Sequence, residues 1–242
     1  MYPAHLMEHI CEYFDELSKI IVAEKGTIDK YIGDSIMAFW GAPLSEKNPV
    51  HHAAHAALKC FKRLEELNSR WKAEGKPQFI TRMGLHVGEA IVGNLGSSER
   101  LNYTAIGAAV NTANRLEGIN KIYGSSIMVS EAVYKAIKNH FVLRLLDCIR
   151  VKGKHKSSFI YELLAVEASH LSFDIHAYRF AFSKGFAAYQ RERWDEAINV
   201  FNQCLVIYPE DKTALLFIQR CERFKQHPPA KDWDGVWQVS EK

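Results

Sequence analysis

The stretch Lys25-Gly26-Thr27-Ile28-Asp29-Lys30-Tyr31-Ile32-Gly33-Asp34-Ser35-Ile36-Met37-Ala38-Phe39-Trp40-Gly41 decides the fold. Thr27 to Ile32 reads as an alternating strand, and Ser35 to Trp40 is apolar enough for a buried one. Gly33-Asp34 lies between them, where a tight turn needs backbone angles that glycine accepts. The two halves therefore predict a hairpin. A carboxylate at the tip of a buried hairpin is costly unless it is paired, so Asp34 points to a divalent cation. Lys30 stands four residues earlier.

Upstream, Leu6, Ile10, Tyr13, Phe14, Leu17, Ile20 and Ile21 recur at helical spacing, which predicts a helix over 4–24 stopped by Gly26. Downstream, Gly41-Ala42-Pro43 breaks the strand, and Asn48-Pro49 opens a helix that runs to about Ala73. Phe79 to Val87 alternates and Glu89 to Gly93 returns around Gly88, which predicts a second hairpin. Asn94 to Asn102 is polar and reads as an exposed arm. A short strand at Tyr103–Ile106 and a helix from Ala108 to about Ile122, ended by Gly124, follow. Next come a strand at Ile127–Val129, a helix capped by Ser130, and strands over Phe141–Val151 and Phe159–Val166. The last two flank the basic loop Lys152-Gly153-Lys154-His155-Lys156. Hairpins alternating with helices define an α+β sandwich, with helices covering a largely antiparallel sheet. A ferredoxin-like core opens with a strand before its first helix; here that strand is missing.

This domain is expected over 1–167. The chain then turns helical over 168–227. Gly185, Ala197, Phe201 and Pro209 fall at the offsets of a tetratricopeptide repeat, and Trp194-Asp195-Glu196-Ala197-Ile198 fits its second helix. One repeat cannot bury both faces, so this small helical hairpin is expected to dock on the main domain or on a partner. Residues 228–242 carry Trp233 and Trp237 and read as an extended, docked tail.

A length of 242 residues allows one large domain or a domain with an appendage, and a hydrophobic share of 48% excludes a disordered chain. A net charge of +3 argues against a nucleic-acid binder. The five cysteines are scattered without CxxC spacing, which predicts reduced thiols in the cytoplasm rather than disulfides or a zinc site. No apolar run reaches the roughly 18 residues of a membrane span, and no signal peptide opens the chain, so any membrane anchor would lie upstream.

Three constellations carry possible chemistry. Lys30 with Asp34 reads as a cation and a metal carboxylate, or as a surface lysine and a turn aspartate. Asn111 and Arg115, four apart, share one helix face, which taken alone reads as a solvated surface before it reads as a site. The Lys152–Lys156 loop is a triphosphate clamp or a solvated turn. No Walker A motif is present. Gly84-Leu85-His86-Val87-Gly88 is not a dinucleotide fingerprint, and His86 reads as a packed sheet histidine.

Four segments resolve these choices together. Residues 29–43 (DKYIGDSIMAFWGAP), 84–107 (GLHVGEAIVGNLGSSERLNYTAIG), 110–117 (VNTANRLE) and 151–154 (VKGK) stand in the order and spacing of the class III nucleotidyl cyclase catalytic domain. The chain resembles that family over about residues 4–165, and within it the bacterial adenylyl cyclase branch that includes bicarbonate-responsive enzymes. The resemblance implies an adenylate cyclase that makes 3′,5′-cyclic AMP and pyrophosphate from ATP in signal transduction. It implies two Mg²⁺ or Mn²⁺ ions, held in part by Asp34. Lys30 and Thr104 would read adenine, Asn111 would orient the ribose, Arg115 would stabilise the transition state, and Lys154 would bind the phosphates. It also implies a homodimer, in which each subunit gives its metal carboxylates to one site and its base-reading residues to the other. The 94–102 arm would serve that dimer. Guanine-specific members commonly carry Glu and Cys at the base-reading positions, so ATP is expected over GTP.

Two departures stand out. The family's other metal aspartate lies on the opening strand, before the first residue here, so a truncated chain is expected. Ala108 stands where an acidic residue is common. These departures leave a second expectation, an inactive cyclase-like module that binds nucleotide or dimerises. A third is an interaction protein working through its helical tail.

Overall fold

The computed structural model describes residues 3–151 and 156–239. Helix α1 (Pro3–Ala23) packs along α2 (Pro49–Ala73), burying Tyr13, Leu17 and Ile21 against Cys60, Leu64, Leu67 and Trp71. Each such side chain contributes about 1.5–3 kcal/mol of burial. Leu6, the first of the expected apolar stripe, is exposed instead. The chain then turns into strands β1 (Thr27–Ile32) and β2 (Ser35–Phe39), antiparallel with Ile32 opposite Ser35. Gly33 takes the first turn position at φ 62°, where a two-residue hairpin calls for glycine. The Trp40 indole donates to the Glu24 carbonyl at 2.8 Å, tying the hairpin to the end of α1.

Two expectations need correction here. The hairpin tip is not buried: Tyr31 to Ser35 are all exposed. Asp34 therefore needs no partner to sit there. The second hairpin is not built from 79–87 and 89–93. Of 79–87 only Met83–Leu85 (β3) is a strand, and it pairs in parallel with β6 (Ile127–Ser130). The residues before it are held by side chains instead. Asn68 on α2 bonds both the carbonyl and the N–H of Phe79, and the His9 ring bonds the Pro77 carbonyl at 2.8 Å. The true hairpin is β4 (Ile91–Gly96) with β5 (Leu101–Ile106), so the polar arm is its tip.

Helix α3 (Ala108–Tyr123) crosses directly over β3. A Cβ at Gly84 would lie 2.2 Å from the Ala113 carbonyl oxygen, so only glycine permits this approach. Asn120 of α3 donates to the Met83 carbonyl at 2.9 Å and fixes the crossing. Ser130 caps α4 (Glu131–Ile137) through the Val133 N–H, as expected. Strands β7 (Val142–Val151) and β8 (Ser158–Ala165) form the expected antiparallel pair.

The result is an α+β fold whose described strands form three sheets. One is β1-β2, one is β4-β5, and the third runs β3-β6-β8-β7 and ends on β9 (Trp237–Val239). Among the described residues no strand pairs with the outer edge of β2 or of β3.

The C-terminal part has three helices rather than a single hairpin: α5 (Ile175–Gln190), α6 (Trp194–Ile207) and α7 (Lys212–Gln226). A third amphipathic helix covers the face a lone hairpin would expose. Phe182, Phe186, Tyr189, Phe201 and Phe217 interlock between them. This unit shares its core with Val142, Cys148 and Ala165 of the sheet. The tail then adds β9 (Trp237–Val239), parallel to β7, so it is extended and docked. Among the described residues no helix is long and apolar enough to cross a membrane. All five cysteines are free, and Cys60, Cys148, Cys204 and Cys221 are buried.

Candidate active site

Strands β1 and β5 come together where Lys30 meets Thr104. The Lys30 ammonium donates to the Thr104 hydroxyl at 3.0 Å, although the residues are 74 positions apart. Thr104 is buried at 5% exposure, while the Lys30 side chain above it is 43% exposed. The outer face of this pair is thus a cation and its inner face a hydroxyl.

Asp29, absent from the sequence reading, completes the cluster. Its side chain is fully buried. Oδ2 accepts from the Thr104 hydroxyl at 2.7 Å and from the Ala105 N–H at 2.9 Å, and Oδ1 faces the Lys30 ammonium at 3.2 Å. Burial alone would raise its pKa. The bonds from Thr104, Ala105 and Lys30 outweigh that and hold the carboxyl below its ordinary value. It is therefore ionised, and an acceptor only, throughout the neutral range. A register shift between Ile28 and Lys30 makes Asp29 the extra residue of a β-bulge. Bulges re-aim side chains in this way. Strict alternation, the pattern read from the sequence, hides this, which is why Asp29 escaped notice.

Asn111 and Arg115 lie in the N-terminal half of α3, exposed and half-buried respectively, on one helix face as their spacing predicts. Asp34 sits at the exposed turn between β1 and β2. Lys154 lies outside the described residues. His86 is a packed histidine: its Nδ1 is 2.8 Å from the Ser130 hydroxyl. Among the described residues no group of three or more His, Cys, Asp or Glu side chains is placed to hold a metal ion. Asp34 is an exposed carboxylate, the oxygen-donor chemistry that a hard cation takes. The structure thus brings Lys30 and Thr104 together and leaves Asp34 four residues on, at the turn of the same hairpin.

The site's residues fall within a family match. The model of the adenylate and guanylate cyclase catalytic domain matches residues 1–164. The chain belongs to this family. Adenylate cyclase 1 of Rhizobium meliloti is 43% identical over 164 residues, covering 68% of this chain and 25% of that protein. The terminal-differentiation specific adenylate cyclase of Dictyostelium discoideum is 34% identical over 203 residues. That match covers 81% of this chain and 9% of the relative, so it passes beyond the cyclase segment into the helical extension. The chain spans about a quarter or less of the length of these two relatives. Among solved structures, the adenylyl cyclase CyaB of P. aeruginosa aligns at a TM-score of 0.63 and 32% identity, over 69% of this chain and 86% of that one. The guanylyl cyclase Cya2 aligns at 0.60 and 26%, over 70% and 85%.

Proposed function

We propose that this chain is the catalytic domain of an adenylate cyclase, forming 3′,5′-cyclic AMP and pyrophosphate from ATP at a site shared by two copies. The observation that carries this reading is the Lys30–Thr104 contact, whose donor and acceptor suit an adenine edge. Adenine offers an acceptor at N1 and a donor at its 6-amino group. Lys30 supplies the donor for the first and the Thr104 oxygen the acceptor for the second. Guanine offers N1–H and a carbonyl oxygen, the reverse pattern, and meets like with like.

In this reading the ATP 3′-hydroxyl attacks the α-phosphorus, the bond to the bridging oxygen breaks, and pyrophosphate leaves. Asn111 holds the ribose so that the hydroxyl is in line. Arg115 donates to the oxygens on which charge builds at the α-phosphorus. Lys154 would bind the phosphates. Asp34 of the second copy would supply an oxygen ligand to Mg²⁺ or Mn²⁺, which when bound activates the hydroxyl and neutralises charge on the leaving group.

The β4-β5 arm supports a dimer. Ile91 and Leu101 are 73% and 63% exposed, and Leu95 and Ile106 are exposed beside them, so the arm carries apolar surface that a second copy would cover. The helical extension reads as one tetratricopeptide-like hairpin closed by a third helix.

The base-reading roles are tested by Lys30→Glu combined with Thr104→Cys. The expected outcome is a fall of at least about tenfold in the ratio of ATP to GTP turnover, since a donor–acceptor mismatch costs on the order of 1–3 kcal/mol. An unaltered ratio in a folded variant rejects the assignment.

A further inference from the structure

Asp29 holds none of the roles above, yet it is the buried charge of the site. The β-bulge at Asp29 turns its carboxylate toward β5, where it takes hydrogen bonds from the Thr104 hydroxyl and the Ala105 N–H. These bonds determine what Thr104 has left to offer. A hydroxyl has one proton and two lone pairs. The proton goes to Asp29 Oδ2, and one lone pair receives the Lys30 ammonium. Only a lone pair remains. Lys30 donates one of its three N–H groups to Thr104, and its ammonium lies 3.2 Å from Asp29 Oδ1, so it keeps N–H groups for a purine acceptor.

We infer that Asp29 is a specificity-determining positioning residue: by taking the Thr104 proton it fixes that hydroxyl as an acceptor, and so selects a 6-amino over a 6-oxo purine. The inference rests on the ATP-cyclase reading and deepens it. Without a carboxylate at Asp29 the Thr104 hydroxyl is free to rotate, and its proton can turn outward to a purine carbonyl oxygen. The Ala105 N–H bond makes the carboxylate rigid, so it cannot follow the hydroxyl.

The test compares ATP with inosine triphosphate, whose base carries the 6-oxo edge and no 2-amino group. Binding of each by this chain is measured by competition against a fluorescent ribose-labelled nucleotide with Mn²⁺, and turnover is measured alongside. The wild type should favour ATP. Asp29→Asn should narrow the ATP-to-inosine preference about tenfold, through affinity and KM rather than kcat. Asp29→Leu, which keeps the branching of the side chain and removes every acceptor, should move it in the same direction. In a Thr104→Val background, Asp29→Asn should change the preference less than twofold, since its effect passes through the hydroxyl. Folded variants of both kinds that keep the wild-type preference overturn the inference, as does an undiminished shift in the Thr104→Val background. Failure of both variants to fold, seen by circular dichroism, makes Asp29 a structural carboxylate and also overturns it. A wild type that binds the two nucleotides equally overturns the adenine reading itself and the inference with it.

Discussion

Arg115→Ala is expected to lower kcat for cyclic AMP formation about 10²–10³-fold while shifting KM only a few-fold, the range for removing a donor aimed at developing charge. Arg115 lies one helical turn beyond Asn111 on α3, and that helix is set by its crossing over Gly84 and by the Asn120 bond to Met83. Loss of the guanidinium should therefore leave the ribose contact and the base-reading pair in place. Steady-state kinetics at saturating Mn²⁺ separate the two parameters. A rise in KM with kcat unchanged would make Arg115 a ground-state binding residue.

Asp147→Ala is expected to destabilise the folded chain by about 3–5 kcal/mol, because it leaves a buried guanidinium without its partner. Asp147 on β7 and Arg220 on α7 pair at 2.6 Å, and both side chains are buried. The Tyr123 hydroxyl donates to the same carboxylate at 2.6 Å, and the Arg220 guanidinium lies 3.9 Å from the centre of the Trp237 ring. Burial works against the Arg220 charge, but Tyr123 and Asp147 beside it hold its pKa above the ordinary value. For a chain of this size the loss corresponds to a melting temperature lower by roughly 10 °C. Asp147→Leu with Arg220→Met should recover most of it, since a matched apolar pair leaves no stranded charge. Thermal unfolding followed by circular dichroism decides; a shift within about 1 kcal/mol, the range of a surface pair, would mean that water reaches the pair.

The same contacts tie the extension to α3. Tyr123 is the last residue of α3, and its carbonyl accepts from Thr213 of α7 at 3.1 Å. A second buried cluster joins Arg144 of β7 to Glu162 and Asp211 at 2.8 Å each. The extension is thus part of the folded body rather than an appendage. Its helical character and its need to dock were legible in the sequence, but its third helix was not. The buried charges that dock them were not. Arg144, Asp147 and Arg220 lie far apart in sequence, and nothing local marks them as buried.

Most of the cyclase core could be read directly. Gly33 announced the β1-β2 turn, Pro49 the start of α2, Gly124 the end of α3 and Ser130 the cap of α4, because each acts through its own backbone. The second hairpin was misplaced because the alternation over 79–87 has a cause other than strand pairing. Phe79 stacks on His9 and meets Trp71 edge to face, and its backbone is satisfied by the Asn68 side chain. At the site, the family motifs pointed to Lys30, Thr104, Asn111, Arg115 and Asp34, and of these the structure brings Lys30 and Thr104 into contact at 3.0 Å. Asp29 lay within the quoted stretch and still went unread, because a β-bulge leaves no mark in the pattern of polar and apolar residues.

The central claim is that one site draws on two copies, and complementation tests it most directly. Arg115→Ala and Asp34→Ala are prepared separately in a background whose unmutated form makes cyclic AMP, and then mixed. Each variant alone should be nearly inactive. Random pairing leaves one intact composite site in each mixed dimer, so about a quarter of the wild-type activity should return. A mixture no more active than its components, with mixed dimers shown to form, would contradict the shared site.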